Sequence, residues 1–557
     1  MQLQVLAPTI SVAPQIAADD IAGLAEQGYR AVICNRPDGE GADQPNFAEI
    51  ARACAAAGLE AAYLPVISGK VWDNDAAAFA ALMDRLPKPV LAYCRTGTRS
   101  TTLWALCEAA RGQPMPGIVA VAKAAGYDMS GVMRRIINGG KAPTSNTSLR
   151  HDIVVIGGGA AGIAVASSLL ARKPGLDIAI IDPAEIHYYQ PGWTMVGAGV
   201  FKAATTARTM ASLIPTGVHW IKAEVAAFEP ENKAVVLDGC REVKYGSLVV
   251  APGLKLNWGG IEGLVDTLGR NGVTSNYRYD LASYTWQLVQ ALKRGRALFT
   301  QPPMPIKCAG APQKAMYLSA DHWRQAGVLK DVKIDFYNAG AVLFGVKDYV
   351  PALMEYIERY GVNLHFQHNL TKVDGPSRTA WFTRTDADGS KTEIVESFDM
   401  LHAVPPQIAP DFLRVSPLAD AAGWMDVDQA TLRHTTHAGV YGLGDACNAP
   451  NAKTAAAARK QAPVVAHNLL KDMGVLKGAD AVYDGYGSCP LTVERGRIVL
   501  AEFGYGGKLL PSFPEWLIDG TRPSKLAWLL KERMLPPLYW RAMLKGREWM
   551  ATPELVG

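Results

Sequence analysis

Cys308 is the residue of this chain best placed to do chemistry. It ends the run Arg296-Ala-Leu-Phe-Thr-Gln-Pro-Pro-Met-Pro-Ile-Lys-Cys308 and is followed by Ala-Gly-Ala-Pro-Gln-Lys314. The pattern is a short apolar strand, a proline-rich turn and the start of a helix. A dinucleotide phosphate bound at such a turn needs glycines, so that backbone amides can approach it. Prolines delete amides and bulk out the turn, so no nicotinamide site is expected there. What stands at the mouth of the helix is a thiol, where the positive end of the helix dipole favours its thiolate. A sulfur so placed suits sulfur or disulfide redox chemistry. Lys307 and Lys314 flank it, either lowering the thiol pKa or lying in solvent.

A second thiol has a similar local setting. Val90-Leu-Ala-Tyr-Cys94-Arg-Thr-Gly-Thr-Arg99-Ser100 puts Cys94 at a strand end, before a short loop and a helix. Successive amides with Arg99 make an anion cradle, and the helix end favours the thiolate. The other cysteines are Cys34, Cys54, Cys107, Cys240, Cys447 and Cys489, with no CxxC pair. This scatter fits a reducing compartment and individual reactive thiols better than a disulfide scaffold or a zinc site. Cys34, Cys54, Cys107 and Cys240 read as packing residues. Cys447 and Cys489 are both candidate partners for Cys308. His365 and His368, in a strand-like run, read as solvent-facing, and no metal site is expected.

Gly157-Gly-Gly159-Ala160-Ala161-Gly162 lies between the apolar Ile153–Ile156 run and a helical pattern over Ile163–Ala171, with Asp182 closing the next strand. That is the dinucleotide fingerprint in its full context. The glycines allow the tight turn, the amides near Ala160 and Ala161 face the pyrophosphate, and Asp182 takes a ribose hydroxyl. Tyr441-Gly-Leu-Gly444-Asp445 adds a carboxylate at a strand end, where FAD enzymes hold the ribityl chain. Together the two motifs favour FAD over NAD.

These residues need domains to position them. The 557 residues suffice for two to four. Alternating strand and helix patterns make 1–112 an α/β domain with a parallel sheet. Residues 113–150 read as a helical appendage and a polar linker over 139–148. Residues 151–510 hold two Rossmann-like, doubly wound subdomains. Residues 511–557 read as a tail of amphipathic helices, split at Pro536-Pro537. Between 524 and 550 six Lys/Arg stand against Glu532 and Glu548, with Trp528, Tyr539, Trp540 and Trp549 interleaved. Such a tail suits an anionic headgroup layer; the alternative is a core cap or a dimer interface. A net charge of +4, without an arginine-rich tract, argues against nucleic acid. Met1-Gln-Leu-Gln lacks a secretory start, and no long uncharged apolar run exists. The expectation is a cytoplasmic protein, peripheral on the inner face of the cell membrane; a homo-oligomer is compatible with it.

Residues 151–547 resemble the sulfide:quinone oxidoreductases, a flavoprotein disulfide reductase branch. The likeness rests on His187-Tyr-Tyr-Gln190-Pro-Gly-Trp193-Thr-Met-Val-Gly-Ala-Gly199, Pro305–Lys314, Lys453-Thr-Ala-Ala-Ala and Tyr486-Gly-Ser-Cys489-Pro-Leu. The resemblance implies that Gln190, Val225 and Lys453 belong to the FAD site, Val225 at the adenine end, and that the active cysteines are Cys308 and Cys489. It implies sulfide as substrate, a cysteine persulfide, a small thiol or sulfite as sulfur acceptor, and a membrane quinone as electron acceptor, reached past Phe503 and Tyr505. Residues 1–110, with Asn35-Arg-Pro-Asp-Gly-Glu40, resemble the phosphatase-like domain of beta-lactamase hydrolase-like proteins. Its Cys-x4-Arg loop is one residue shorter than a protein tyrosine phosphatase loop and has the rhodanese length. The expected role for Cys94 and Arg99 is therefore sulfane-sulfur transfer. A phosphatase using Asp73 or Asp75 as acid, or a docking domain, are the alternatives. For the whole chain, the alternative is an NAD(P)H:quinone or disulfide oxidoreductase with a phosphatase-like regulatory domain.

Overall fold

The computed structural model of the chain describes residues 3–41, 44–129, 132, 136, 149–237, 242–450 and 452–556. The linker expected over 139–148 and Cys240 lie outside the described residues. The chain divides into two compact units: residues 1–150 with 223–245, and residues 151–222 with 246–557.

The first unit is built on a five-stranded sheet in the order Gln4–Ala7, Ile10–Ala13, Val90–Tyr93, Ala31–Cys34, Glu60–Tyr63. All neighbours run parallel except the opening hairpin. The Ala31–Cys34 and Val90–Tyr93 strands are buried on both faces, as a helix-covered parallel sheet requires. Sequence periodicity finds three of the five strands and misses the opening hairpin of Gln4–Ala7 and Ile10–Ala13. The Thr98–Ala110 helix starts at Gly97, whose φ of 87° turns the chain out of the Cys94 loop. The Val225–Glu229/Ala234–Leu237 hairpin is grouped with this unit.

The second unit carries two parallel sheets. In the first, Val218–Ile221, Ile178–Ile181 and Leu149–Ile156 lie side by side, and Val440–Gly442 pairs with the end of Glu242–Val250. In the second, the order is Val273–Thr274, Met400–His402, Gly295–Gln301, Val332–Asn338, Asn363–Phe366. This mixed α/β, doubly wound architecture is the one expected from the sequence. The Ala311–Gln325 helix leaves the second sheet and packs through Ala315 and Met316 on the Gly487–Glu494/Arg497–Phe503 hairpin, in one buried cluster with Cys489, Leu491, Val493 and Val499. That packing brings a late loop over an early turn.

The tail departs from expectation. Lys525–Leu529, a wide turn over Leu530–Met534 and Leu535–Arg541 follow one another without a break, and the two prolines occupy the first turn of the last segment. A proline cannot donate the helical hydrogen bond, and the wide turn just before the pair is where the helix accommodates that loss. Trp528, Tyr539 and Trp540 are buried rather than directed to solvent. Tyr539 OH pairs with His187 Nε2 at 2.6 Å, and Arg172 and Ser168 bind Glu548 at 2.8 and 2.6 Å. The exposed apolar side chains lie elsewhere: Trp516 (84% exposed), Leu517, Leu526, Leu529, Met534 and Trp549. No described helix is long and apolar enough to cross a membrane.

Candidate functional site

The Gly157–Gly162 turn is shaped for close backbone approach. A Cβ on Gly157 would meet Ala251 O at 2.4 Å, and one on Gly162 would meet Gly157 O at 1.8 Å. Around Gly159, by contrast, nothing lies within 4 Å of a Cβ position. The helix beginning at Ala160 leaves the Ala160 and Ala161 amides without intrahelical acceptors at this opening. Asp182 accepts from Gly158 N at 2.6 Å and from Ala184 N at 2.7 Å; burial pushes its carboxyl pKa up. Gly444 brings the second motif onto the same helix, since a Cβ there would lie 3.0 Å from that of Ala161. Gly444 N donates to Gln461 Oε1 at 2.7 Å, and Gln461 Nε2 is buried without a partner. Lys453 Nζ donates to Asp445 O and Cys447 O at 2.9 and 2.7 Å, and the Lys453 carbonyl accepts from Cys308 N at 2.9 Å. Gln407 Nε2 is a second orphan, beside the Lys307 amide that its Oε1 accepts from. A glycine cradle with open space above it and unpaired buried amide donors along its walls fits FAD. Gly157, Gly159, Ala160, Ala161, Gly162, Asp182, Gly444, Asp445 and Lys453 fall around it. Gln190 is exposed and accepts from Lys307 Nζ. Val225 opens the hairpin grouped with the first unit and is buried.

Where this wall turns toward the helix, the Cys308 and Cys489 sulfurs stand 3.7 Å apart, unbonded. A disulfide needs about 2.05 Å between sulfurs, so a side-chain shift of under ~2 Å joins them. Gly310 makes the approach possible: a Cβ there would meet Cys489 Sγ at 2.5 Å and Leu491 Cδ2 at 2.4 Å. Cys308 itself adopts φ 51°, the left-handed region. The hydrogen bond from Cys489 holds the Cys308 thiol well below the usual range against the cost of burial, aided by the Lys314 ammonium 3.1 Å from its sulfur. The Cys489 thiol is pushed up by donating that bond and by burial. The two shifts run in opposite directions, and Cys308 is the sulfur on which the site favours the thiolate. Burial alone would lower Lys314, but the two sulfurs raise it. Of the two lysines flanking Cys308, Lys314 is buried, not solvent-borne. Cys447 is buried, its sulfur donating to Gly444 O at 3.1 Å, and burial raises its pKa.

In the first unit Cys94 is buried, and its sulfur accepts from Gly97 N at 3.1 Å. The Arg99 guanidinium is turned to other partners. Its Nη1 donates to Glu40 Oε1 at 2.9 Å and to Val66 O at 2.7 Å, and its Nη2 to Glu40 Oε2 at 2.7 Å. Arg36 joins the same carboxylate at 2.8 Å. Asp75, one of the two acids considered, binds Trp72 N at 2.7 Å, at the start of its own helix.

Residues 2–111 match the family model for the phosphatase-like domain of beta-lactamase hydrolase-like protein, and residues 151–291 match pyridine nucleotide-disulphide oxidoreductase. Over 398 residues the chain is 42% identical to the mitochondrial sulfide:quinone oxidoreductase of Dictyostelium discoideum, an alignment covering 71% of this chain and 86% of that one. The chain belongs to the sulfide:quinone oxidoreductase family. It is a FAD-dependent family. The solved sulfide:quinone oxidoreductase of Aquifex aeolicus shares the fold, at 18% identity and a TM-score of 0.59, over 72% of this chain and 92% of that one. The first domain is 35% identical over 127 residues to the beta-lactamase hydrolase-like protein of Agrobacterium fabrum, covering 23% of this chain and 29% of that protein.

Within this sulfide:quinone oxidoreductase-family chain, sequence reasoning missed Lys531. Counted there among the tail's membrane-facing cations, it is buried instead. Burial, with the Lys314 charge nearby, lowers its pKa to about 7, while the Cys308 and Cys489 sulfurs pull it up. No spacing rule joins residue 531 to residue 308. Tyr277 was missed too; its hydroxyl donates to Lys307 O at 2.9 Å, at the base of the cysteine turn. His365 and His368 are half-buried rather than solvent-facing, with His365 bonded to Asp335 at 2.9 Å.

Proposed function

We propose that the chain oxidises sulfide at a bridge between Cys308 and Cys489. Hydrosulfide attacks one sulfur of that bridge; one S–S bond breaks, another forms, and the products are a cysteine persulfide and a thiolate. A small thiol or sulfite then attacks the terminal sulfur and carries it off, leaving a second thiolate. Loss of two electrons from the two thiolates remakes the bridge. FAD, which the Gly157–Gly162 turn, Asp182 and Asp445 would hold, would supply the two-electron acceptor for that oxidation, with a membrane quinone as the final acceptor. Lys314 holds the charge on the leaving thiolate, and Lys531 adds to it when protonated. Arrival of negative charge at these sulfurs is therefore met by a buried cation rather than by water.

The observation that carries this reading is the 3.7 Å approach of two thiols from opposite ends of the domain, with the Lys314 ammonium 3.1 Å from Cys308. The test is anaerobic sulfide addition to FAD-loaded protein. Wild type should bleach; Cys308→Ser and Cys489→Ser should keep their FAD and bleach at least ~10³-fold more slowly, the scale of losing a catalytic nucleophile. Bleaching at wild-type rate in either variant refutes the bridge. NADH in place of sulfide should leave the spectrum unchanged, since no glycine loop precedes the Ala311–Gln325 helix.

For the first domain the proposed role is acceptance of sulfane sulfur by Cys94, supported by the Cys-x4-Arg loop length and the Gly97 amide at its sulfur. Cys94→Ser should spare sulfide-driven quinone reduction and impair sulfur delivery to thiol or sulfite. The proposed membrane contact, on the inner face of the cell membrane, moves from Trp528, Tyr539 and Trp540 to Trp516, Leu517, Leu526, Leu529 and Met534, the apolar side chains left exposed in 516–534.

A further inference from the structure

The N-terminal ends of the first parallel sheet hold a group of side chains that the redox chemistry does not use. His151 lies on the Leu149–Ile156 strand, Asp177 directly before Ile178–Ile181, and His219 on Val218–Ile221. These are three neighbouring parallel strands, with Ile153 opposite Ile178 and Ala179 opposite His219. The first two strands run from here to Gly157 and Asp182 at their other ends. At ~3.3 Å per residue, six residues from His151 to Gly157 put the group roughly 20 Å from the nucleotide turn. It is a separate place on the domain.

His151 Nδ1 lies 2.7 Å from Asp177 Oδ1, and His219 Nε2 lies 3.9 Å from the same oxygen. One nitrogen from each histidine and one carboxylate oxygen all fall within 4.8 Å of one another. The imidazole centroids are 5.1 Å apart. Two imidazoles converging on one carboxylate oxygen from separate strands is an arrangement that a lone ion pair does not need, since one histidine satisfies that oxygen. Around a zinc ion with bonds of ~2.0–2.1 Å, tetrahedral donors sit roughly 3.3 Å apart. His151 and Asp177 would open by about half an ångström and His219, 66% exposed, would swing inward.

We propose that His151, Asp177 and His219 form a surface site for a divalent transition metal of the zinc type. Two neutral imidazoles and a carboxylate suit zinc, cobalt(II) or nickel(II) rather than magnesium or calcium, which take oxygen ligands. Three protein donors leave a coordination position for water or an exogenous ligand. Each imidazole ligates through a ring nitrogen that carries no proton, so affinity falls as the pH is lowered. The ion would tie together the starts of three strands and so stabilise the folded sheet.

The test uses full-length, FAD-loaded protein, chelator-treated and then titrated with cobalt(II) and, separately, zinc(II). One equivalent of cobalt should bind with weak visible d–d bands and no sulfur-to-cobalt charge transfer, and zinc should displace it. His219→Ala should weaken binding by at least ~10-fold, because losing even an outer partner of a ligand costs 10–100-fold. The His151→Ala/His219→Ala double variant should lose stoichiometric binding while sulfide still reduces its flavin. No stoichiometric binding by the wild type overturns the site. So does binding that persists in the double variant, or a charge-transfer band, which would place the metal on the Cys308 and Cys489 sulfurs.

Discussion

Cys308 and Cys94 occupy nearly the same local motif and end in different electrostatic settings. Each follows a strand and precedes a helix, and each has a cation within six residues downstream: Lys314 in one case, Arg99 in the other. In the second unit the cation is on the sulfur, at 3.1 Å, with Cys489 completing the site. In the first, the cation is buried and turned to Glu40, which it shares with Arg36. Burial pushes Glu40 up, but the two arginines hold it below the usual carboxylate range. The Cys94 sulfur is left with a backbone amide. Spacing from a thiol to a cation therefore does not say where the charge points. Its hydrogen-bond partners decide.

The largest effect should come from removing the cation that does face its sulfur. Lys314→Met takes away the charge 3.1 Å from Cys308, and the pH at which Cys308 becomes alkylatable should move up. Read at the midpoint pH of the wild-type profile, alkylation should be ~3- to 10-fold slower, on the scale of losing one charge beside the sulfur. Peptide mass spectrometry after iodoacetamide reads Cys308 by itself. An unmoved profile would show that Cys489 alone poises the site. The complementary change, Glu40→Gln, removes the carboxylate that neutralises Arg99 and Arg36. Alkylation of Cys94 should then become roughly 3- to 10-fold faster, on the scale of one nearby charge at partial exposure, with sulfide-driven flavin reduction unchanged. A Cys94 rate that does not move would mean that the Arg99–Glu40 pair is only a strut.

What the sequence made legible follows the range of each physical signal. Gly157, Gly159, Gly162 and Asp182 were readable because a turn, a helix start and the next strand are local and their spacing is set by backbone geometry. The helices and inner strands of the first domain were readable from apolar periodicity. Cys489 was a different matter: before resemblance entered, nothing separated it from Cys447, since the approach to Cys308 is made by a hairpin packing on a helix more than 150 residues earlier. The tail shows the failure most clearly. Trp528, Tyr539, Trp540 and Lys531 form an amphipathic pattern, but amphipathicity gives no sign of whether the apolar face meets lipid or protein. Here most of it meets protein, and Lys531 goes in with it.

Lys531 sharpens the comparison by the smallest step, because it is a half-time cation. In the unfolded chain its ammonium keeps its proton up to an ordinary value of 10.5; in the fold, burial and the Lys314 charge bring that down to about 7. The sign follows. Below pH 7 both states hold the proton, and the fold carries the whole cost of a buried charge. Between about 7 and 10.5 the unfolded state holds more protons, so stability contributed at this site rises with pH. Lys531→Met removes that dependence: its apparent unfolding midpoint should exceed that of wild type at pH 6, and the gap should close by about pH 10. At Cys308 the same variant should matter only when the lysine is charged. Alkylation should slow by about two- to threefold at pH 6 and not at pH 9, less than Lys314→Met at either pH. A midpoint gap that persists at pH 10 would mean the variant acts through packing. A Cys308 rate that falls equally at both pH values would mean Lys531 works by shape, leaving Lys314 as the single cation that distinguishes this thiol from Cys94.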